Sequence, residues 1–113
     1  GYDRHLRKLR AAYRSNVQSM TRAIETYFPP NTRVTRPLGG HVLWVELPGE
    51  ISTMQLYRDA CQHEISIAPG PMFSASGNYA NYLRLNCGLS WSAQIERAIA
   101  TLGRLIEQQQ IIR

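Results

Sequence analysis

Residues 65–88 read ISIAPGPMFSASGNYANYLRLNCG, and the fold turns on how this stretch is divided. Ile65 and Ile67 alternate with Ser66 and Ala68, the period-two pattern of a half-buried strand. Pro69-Gly70-Pro71 must end that strand, because Pro71 has no N–H to donate and Gly70 tolerates backbone angles that other residues resist. The segment Met72 to Asn81 is rich in Ser, Gly and Asn and reads as a mobile loop near a site. A second strand follows in Tyr82-Leu83-Arg84-Leu85-Asn86-Cys87. Leu83, Leu85 and Cys87 fall on one face of it, and Tyr82, Arg84 and Asn86 on the other. An arginine on a rigid strand presents a planar, permanently charged fork suited to a carboxylate or phosphate. Pattern alone favours a solvated surface side chain.

Working outward, residues 31–48 read as a hairpin. Thr32 to Thr35 is β-prone, Leu38-Gly39-Gly40 makes the turn, and His41 to Leu47 returns. Leu43, Val45 and Leu47 form the apolar set that should face the core, against Val42, Trp44 and Glu46. Gly39 and Gly40 read as turn residues or as places where backbone approaches a ligand, and His41 as a strand-end residue packed at the turn. Before the hairpin, Leu6, Leu9, Tyr13, Val17, Met20, Ile24 and Tyr27 recur at steps of three and four. They form one long amphipathic helix that Pro29-Pro30 stops and whose stripe the following sheet can cover. After it, Ser52-x-x-Gln55 is a capping-box signature for a short helix through Glu64, with Leu56, Tyr57, Ala60 and Cys61 as its buried side. Ile95, Ile99, Leu102 and Ile106 mark a last helix capped by Ser90 or Ser92, with Gln108 to Arg113 as a fraying tail. The expected class is α/β, an α+β sandwich. A small, mostly antiparallel sheet of about four strands packs against a long first helix, a short middle helix and a last helix.

Composition bounds the function. The 113 residues are 43% hydrophobic and form one domain, 1–113. There is no signal-peptide pattern and no apolar run of membrane-spanning length, so no membrane partner is expected. Cys61 and Cys87 read as buried reduced thiols, in keeping with a cytoplasmic protein. His5, His41 and His63 are too scattered for a metal site. Residues 1–36 carry eight basic and two acidic side chains, and residues 37–113 five and six, giving the net +5. Such a basic first helix suits nucleic acid or a membrane surface, a solvated face, or a face pairing with an acidic neighbouring domain, the last two being preferred. Opening at Gly1 without an initiator methionine, the sequence reads as a piece of a longer chain.

Three blocks carry a resemblance: Pro37-Leu38-Gly39-Gly40-His41-Val42-Leu43-Trp44-Val45-Glu46-Leu47-Pro48, then Ala68-Pro69-Gly70-Pro71-Met72-Phe73-Ser74, then Tyr82-Leu83-Arg84-Leu85-Asn86. In order and spacing they resemble the C-terminal small domain of the fold-type-I aminotransferases that use pyridoxal 5'-phosphate. The segment Tyr2-Asp3-Arg4-His5-Leu6-Arg7-Lys8-Leu9-Arg10, with Tyr13-Arg14, is similar to two branches of that group. One is the MocR-type regulators of the GntR family, which fuse a winged-helix DNA-binding domain to an aminotransferase-like body. The other is the aminoadipate and aromatic aminotransferases.

The resemblance implies that Arg84 binds the α-carboxylate of an amino acid or of its cofactor adduct. It also implies that Phe73, Gly39 and Gly40 are candidates to line the cleft. Pyridoxal phosphate would be bound mainly by a large domain of the same chain, DNA only through a further N-terminal domain, and the protein would be a homodimer. No residue of residues 1–113 is expected to be catalytic. The sole lysine, Lys8, has no fitting context for a Schiff base, and no Gly-rich phosphate loop is present. An effector domain of a MocR-type regulator is the preferred reading. A working aminotransferase is the alternative, and an unrelated basic α/β nucleic-acid module the second alternative.

Overall fold

The structure, a computed structural model, describes residues 1–36 and 40–112. In chain order the elements are helix α1 (Tyr2–Tyr27), strands β1 (Arg33–Thr35) and β2 (Val42–Glu46), helix α2 (Thr53–Cys61) and strand β3 (Ala68–Pro69). A 3-10 turn (Gly70–Phe73), strand β4 (Tyr82–Asn86) and helix α3 (Ala93–Ile112) complete the chain. The strands lie side by side in the order β1-β2-β4-β3, and every neighbouring pair is antiparallel. This is the α+β arrangement expected from the sequence.

Alternation along β2 and β4 builds the two faces. Leu43, Val45, Leu83 and Leu85 are buried, as are Leu47 and Cys87 just beyond the strand ends. They join Ile24, Leu56, Ile99, Leu102 and Ile106 of the helices in one apolar core. The remaining residues of β2 and β4 line the opposite face, most of them half-buried. Asn81 lengthens the β2–β4 pairing past the strand end: its carbonyl accepts from the Leu47 N–H at 2.8 Å, and its side-chain amide donates to the Leu47 carbonyl at 2.6 Å.

Helix α1 ends where Phe28 turns extended ahead of Pro29-Pro30. Only its second half enters the core. Met20, Ala23 and Ile24 are buried, whereas Tyr2 is 75% exposed and Leu9 37%. The helix packs chiefly on α3 and less on the sheet. At Gly103 of α3 a Cβ would collide with the Tyr27 carbonyl, so glycine sets how closely the two helices approach. Asn16 ties α1 to the chain leaving β4: its side-chain amide donates to the Cys87 carbonyl at 3.0 Å and its side-chain oxygen accepts from the Trp91 N–H at 3.3 Å. The helical periodicity gave no sign of this buried polar group, since an asparagine interrupts an apolar stripe.

The capping box at Ser52 forms, with a substitution. Ser52 Oγ accepts from the Gln55 N–H at 3.1 Å, but the Gln55 side chain turns away to Asp59 and Arg58. The Ser52 N–H donates instead to Gln109 of α3 at 2.9 Å, and the Gln109 amide donates back to the Ser52 carbonyl at 2.9 Å. Gln109 therefore docks, and residues 108–112 continue α3 where a fraying tail was expected. Ser92, of the two candidates, caps α3, its Oγ accepting from the Ile95 N–H at 3.2 Å.

Two further expectations are corrected. The strand expected over Ile65–Ala68 shrinks to Ala68–Pro69. The chain must first leave α2 through Glu64, which adopts a left-handed φ of 62°, while the Ile65 N–H donates to the Ala60 carbonyl at 3.0 Å. Cys61 is exposed, not buried. The inward positions of α2 are Thr53, Leu56 and Ala60, and the next residue lies about 100° further round the helix, toward solvent. Leu38 and Gly39 of the expected hairpin turn lie outside the described residues; the hairpin itself pairs β1 with β2 as expected.

Candidate functional site

Directly opposed residues in an antiparallel sheet share a face, so the register turns the open side of the sheet into rows. One row is Arg33, Glu46 and Tyr82; the next is Thr35, Trp44, Arg84 and Ala68; the last is Val42 and Asn86. Arg84 occupies the middle row on β4, flanked by β2 on one side and β3 on the other.

The chain following β3 then folds over this row. Its 3-10 turn is closed by the Ser74 N–H donating to the Pro71 carbonyl at 3.3 Å. Gly70 is required here for space and not for an unusual φ: a Cβ would strike the Tyr79 carbonyl and come within 2.8 Å of the Tyr79 side chain and 2.9 Å of that of Tyr82. The turn is thereby pressed against the segment that re-enters β4. Phe73, at its end, lies across the Arg84 guanidinium, with Cζ 4.9 Å from the ring centroid. Trp44 meets Phe73 edge-on at 5.5 Å and Tyr82 at 6.4 Å, and Tyr79 meets Tyr82 edge-on at 5.2 Å.

Arg84 itself is half-buried. Among the described residues no carboxylate, carbonyl or hydroxyl accepts a hydrogen bond from it, and it packs against the Phe73 ring. A guanidinium on the middle of a sheet, with no acceptor among the described residues, has the geometry to offer a planar anion two parallel N–H donors. The neighbouring row carries charges of both signs, Arg33 and Glu46, beside Tyr82. Burial, and then the nearby Glu46 carboxylate, hold the Tyr82 hydroxyl above its ordinary 10.0, against the opposing pull of Arg33.

The structure brings Arg84 and Phe73 together and leaves Gly40 apart from them. Gly40 is exposed at φ 68°, accepts from Arg36 at 3.3 Å, and lies four residues along the chain from Trp44. Gly39 lies outside the described residues. His41 packs at the strand end as expected, its ring 4.7 Å from Tyr13 and its carbonyl accepting from the Cys87 N–H at 2.6 Å. Trp44, Tyr79 and Tyr82 were missed as members of the aromatic cluster that includes Phe73, although Tyr82 shares the alternation phase of Arg84. Two concavities of about 570 and 780 Å³ lie elsewhere, one by Arg33, Glu46 and Glu50, the other between Ile65 and Ile95; neither includes Arg84. The Arg84 face is an open wall, which needs a second wall to enclose a ligand. No group of residues suited to a metal ion occurs among those described, and no described helix is long and apolar enough to cross a membrane.

No protein-family model matches the chain. It is 40% identical over 105 residues to the uncharacterized HTH-type transcriptional regulator YjiR of Escherichia coli, covering 93% of this chain and 22% of that protein. To the 2-aminoadipate transaminase of Thermus thermophilus it is 34% identical over 107 residues, 95% of this chain and 27% of that one. Among solved structures, the α-aminoadipate aminotransferase LysN of Thermus thermophilus, complexed with N-(5'-phosphopyridoxyl)-L-leucine, superposes with a TM-score of 0.88 at 32% identity. That superposition covers all of this chain and 29% of LysN. The chain thus spans about a quarter of the length of the relatives it matches. Sequence and fold together make it a small domain of the fold-type-I aminotransferase family. Within that family its relatives fall into two groups, the MocR-like HTH-type regulators and the amino-acid aminotransferases.

Proposed function

We propose that this chain is the C-terminal part of the aminotransferase-like effector domain of a MocR/GntR-type DNA-binding transcription regulator. In this reading Arg84 grips the carboxylate of an amino acid, or of an amino acid joined to pyridoxal phosphate. The observation that carries it is Arg84, half-buried at the centre of the open sheet face with no acceptor among the described residues. The greater identity to YjiR than to the transaminase favours the regulator over the working aminotransferase.

The residues of this chain do not by themselves fit pyridoxal phosphate. Lys8, its only lysine, is exposed on the outlying half of α1, away from the sheet face that carries Arg84. The cofactor therefore belongs mainly to the large domain of the same polypeptide, DNA contact to a domain ahead of it, and the assembly is a cytoplasmic homodimer. What this chain supplies is a fixed cation that orients the ligand and a wall that helps exclude water. An unrelated nucleic-acid module finds no support in a likeness that runs the whole length of the chain.

The mass of the natural full-length polypeptide, with mild proteolysis to count its domains, tests the regulator reading. An additional N-terminal domain of at least about 50 residues ahead of an aminotransferase-sized body is expected. A body with nothing ahead of it would replace the regulator with a working aminotransferase.

A further inference from the structure

We propose that Phe73 is the positioning residue for Arg84, fixing the plane in which the guanidinium fork meets a carboxylate. The proposal rests on the reading of Arg84 as a carboxylate clamp and adds the means by which the clamp is held ready. A bidentate contact needs the guanidinium plane aligned with the carboxylate plane. An arginine with no acceptor of its own would otherwise distribute over many rotamers and lose affinity in being ordered. The Phe73 ring lies across the guanidinium at 4.9 Å. A ring face set against the guanidinium carbon limits its swing toward that side while leaving the N–H groups that point away from the ring free.

The ring is itself held. Trp44 meets it edge-on at 5.5 Å, and Trp44 stands directly opposite Arg84 in the β2–β4 register. The 3-10 turn that carries Phe73 cannot drift toward the sheet, because Gly70 is already against the Tyr79 carbonyl. Sheet register and turn thus fix the arginine and its plate relative to each other. Phe73 nevertheless remains 45% exposed beside Met72 at 56% and Tyr79 at 50%. Its ring is spent on the surface around Arg84 rather than in the apolar core.

The test uses the full-length protein with arginine side chains isotopically labelled and acetate as the probe. The Arg84 Nε–H resonance is identified by its loss in Arg84→Lys. In the wild type this resonance should be displaced upfield by the overlying ring and should move saturably with acetate but not with chloride. Phe73→Leu keeps an apolar contact with Trp44 but removes the ring. It should abolish the upfield displacement and weaken acetate about three- to tenfold, the scale of a partly desolvated cation–π contact. Phe73→Tyr should preserve both. An acetate affinity unchanged within about twofold in Phe73→Leu overturns the positioning role while leaving Arg84 as the clamp. A wild-type Arg84 resonance that ignores acetate overturns the clamp itself, and the positioning role with it.

Discussion

The two faces of one pair of strands have opposite uses in this molecule. On the helix side of β2 and β4, Leu43, Val45, Leu83 and Leu85 are buried in the core. Two buried polar side chains on that side are used internally: Asn16 bridges Cys87 and Trp91, and the Thr53 hydroxyl donates to the Ala80 carbonyl at 2.8 Å. On the open side the same strands present Trp44, Tyr82 and Arg84, and the guanidinium finds no acceptor among the described residues. Consecutive residues such as Leu83 and Arg84 therefore answer to different requirements. The first holds the fold, and the second leaves valence for something outside it.

Breaking the first face should cost most. Leu83 is fully buried and pairs with Val45 and Pro69 across the sheet. Leu83→Ala should destabilise the chain by about 2–5 kcal/mol, since a cavity opens between β4 and the helices. Urea unfolding measures it, and a loss under about 1 kcal/mol would mean the core does not rest on β4.

One residue along, the effect should move from stability to binding. Arg84→Ala should shift the unfolding midpoint little, because no hydrogen bond within the described chain is lost. In the full-length protein it should weaken amino-acid binding by about 1.5–3 kcal/mol, the scale of a hydrogen bond to a charged group, with cofactor absorbance intact. Arg84→Lys should also bind poorly, since an ammonium cannot reproduce the planar fork. Calorimetric titration decides it; unchanged affinity in Arg84→Ala removes Arg84 from the site.

Legibility in the sequence followed the same division. The two faces of β4 were readable from Tyr82 to Cys87, because alternation is a local property of a strand. The long helix was readable too, and its stop at Pro29-Pro30. What local pattern could not carry was anything set by two distant segments. Gly70 read as a residue of unusual backbone angle, when its function is to clear the Tyr79 carbonyl. The stripe of α1 read as continuous, although its first half stays outside the core, with Tyr2 75% and Leu9 37% exposed. The aromatic plate over Arg84 arises only when the turn after β3 folds back across the sheet, and Phe73 became a candidate through family resemblance and not through periodicity.

The pH dependence of stability probes the buried face from the opposite direction. Burial drives the Cys87 thiol from its ordinary 9.0 up to about 11, slightly opposed by Arg36. The folded state thus keeps a proton that the unfolded chain releases above about pH 9. Stability is unaffected by this group below that value and falls as pH rises toward about 11, with a slope of at most about 1.4 kcal/mol per pH unit. Tyr82, held above 10.0, adds a decline of the same sign at higher pH. Cys87→Ala should flatten the curve between about pH 9 and 10, and an unaltered slope would show that the thiol is not shielded. Thiol alkylation at neutral pH should meanwhile modify the exposed Cys61 and spare Cys87.

The smallest expected effect tests whether polar side chains on the helix layer are committed as fully as Arg84 is uncommitted. Gln109 supplies both an acceptor and a donor to the backbone of Ser52, completing from α3 the capping box that Gln55 leaves half-made. Both backbone groups are part-buried, so their loss is cushioned by water but not erased. Gln109→Ala should cost about 0.5–1.5 kcal/mol in urea unfolding, whereas Gln108→Ala, at an exposed position one residue away, should cost nothing measurable. Ser52→Ala removes only the Oγ bond to Gln55, so the two losses should add within about 0.5 kcal/mol if the contacts act separately. A sum well short of additive would mean that the end of α3 and the start of α2 open as one unit. Equal effects at positions 108 and 109 would mean that the docked glutamine contributes nothing.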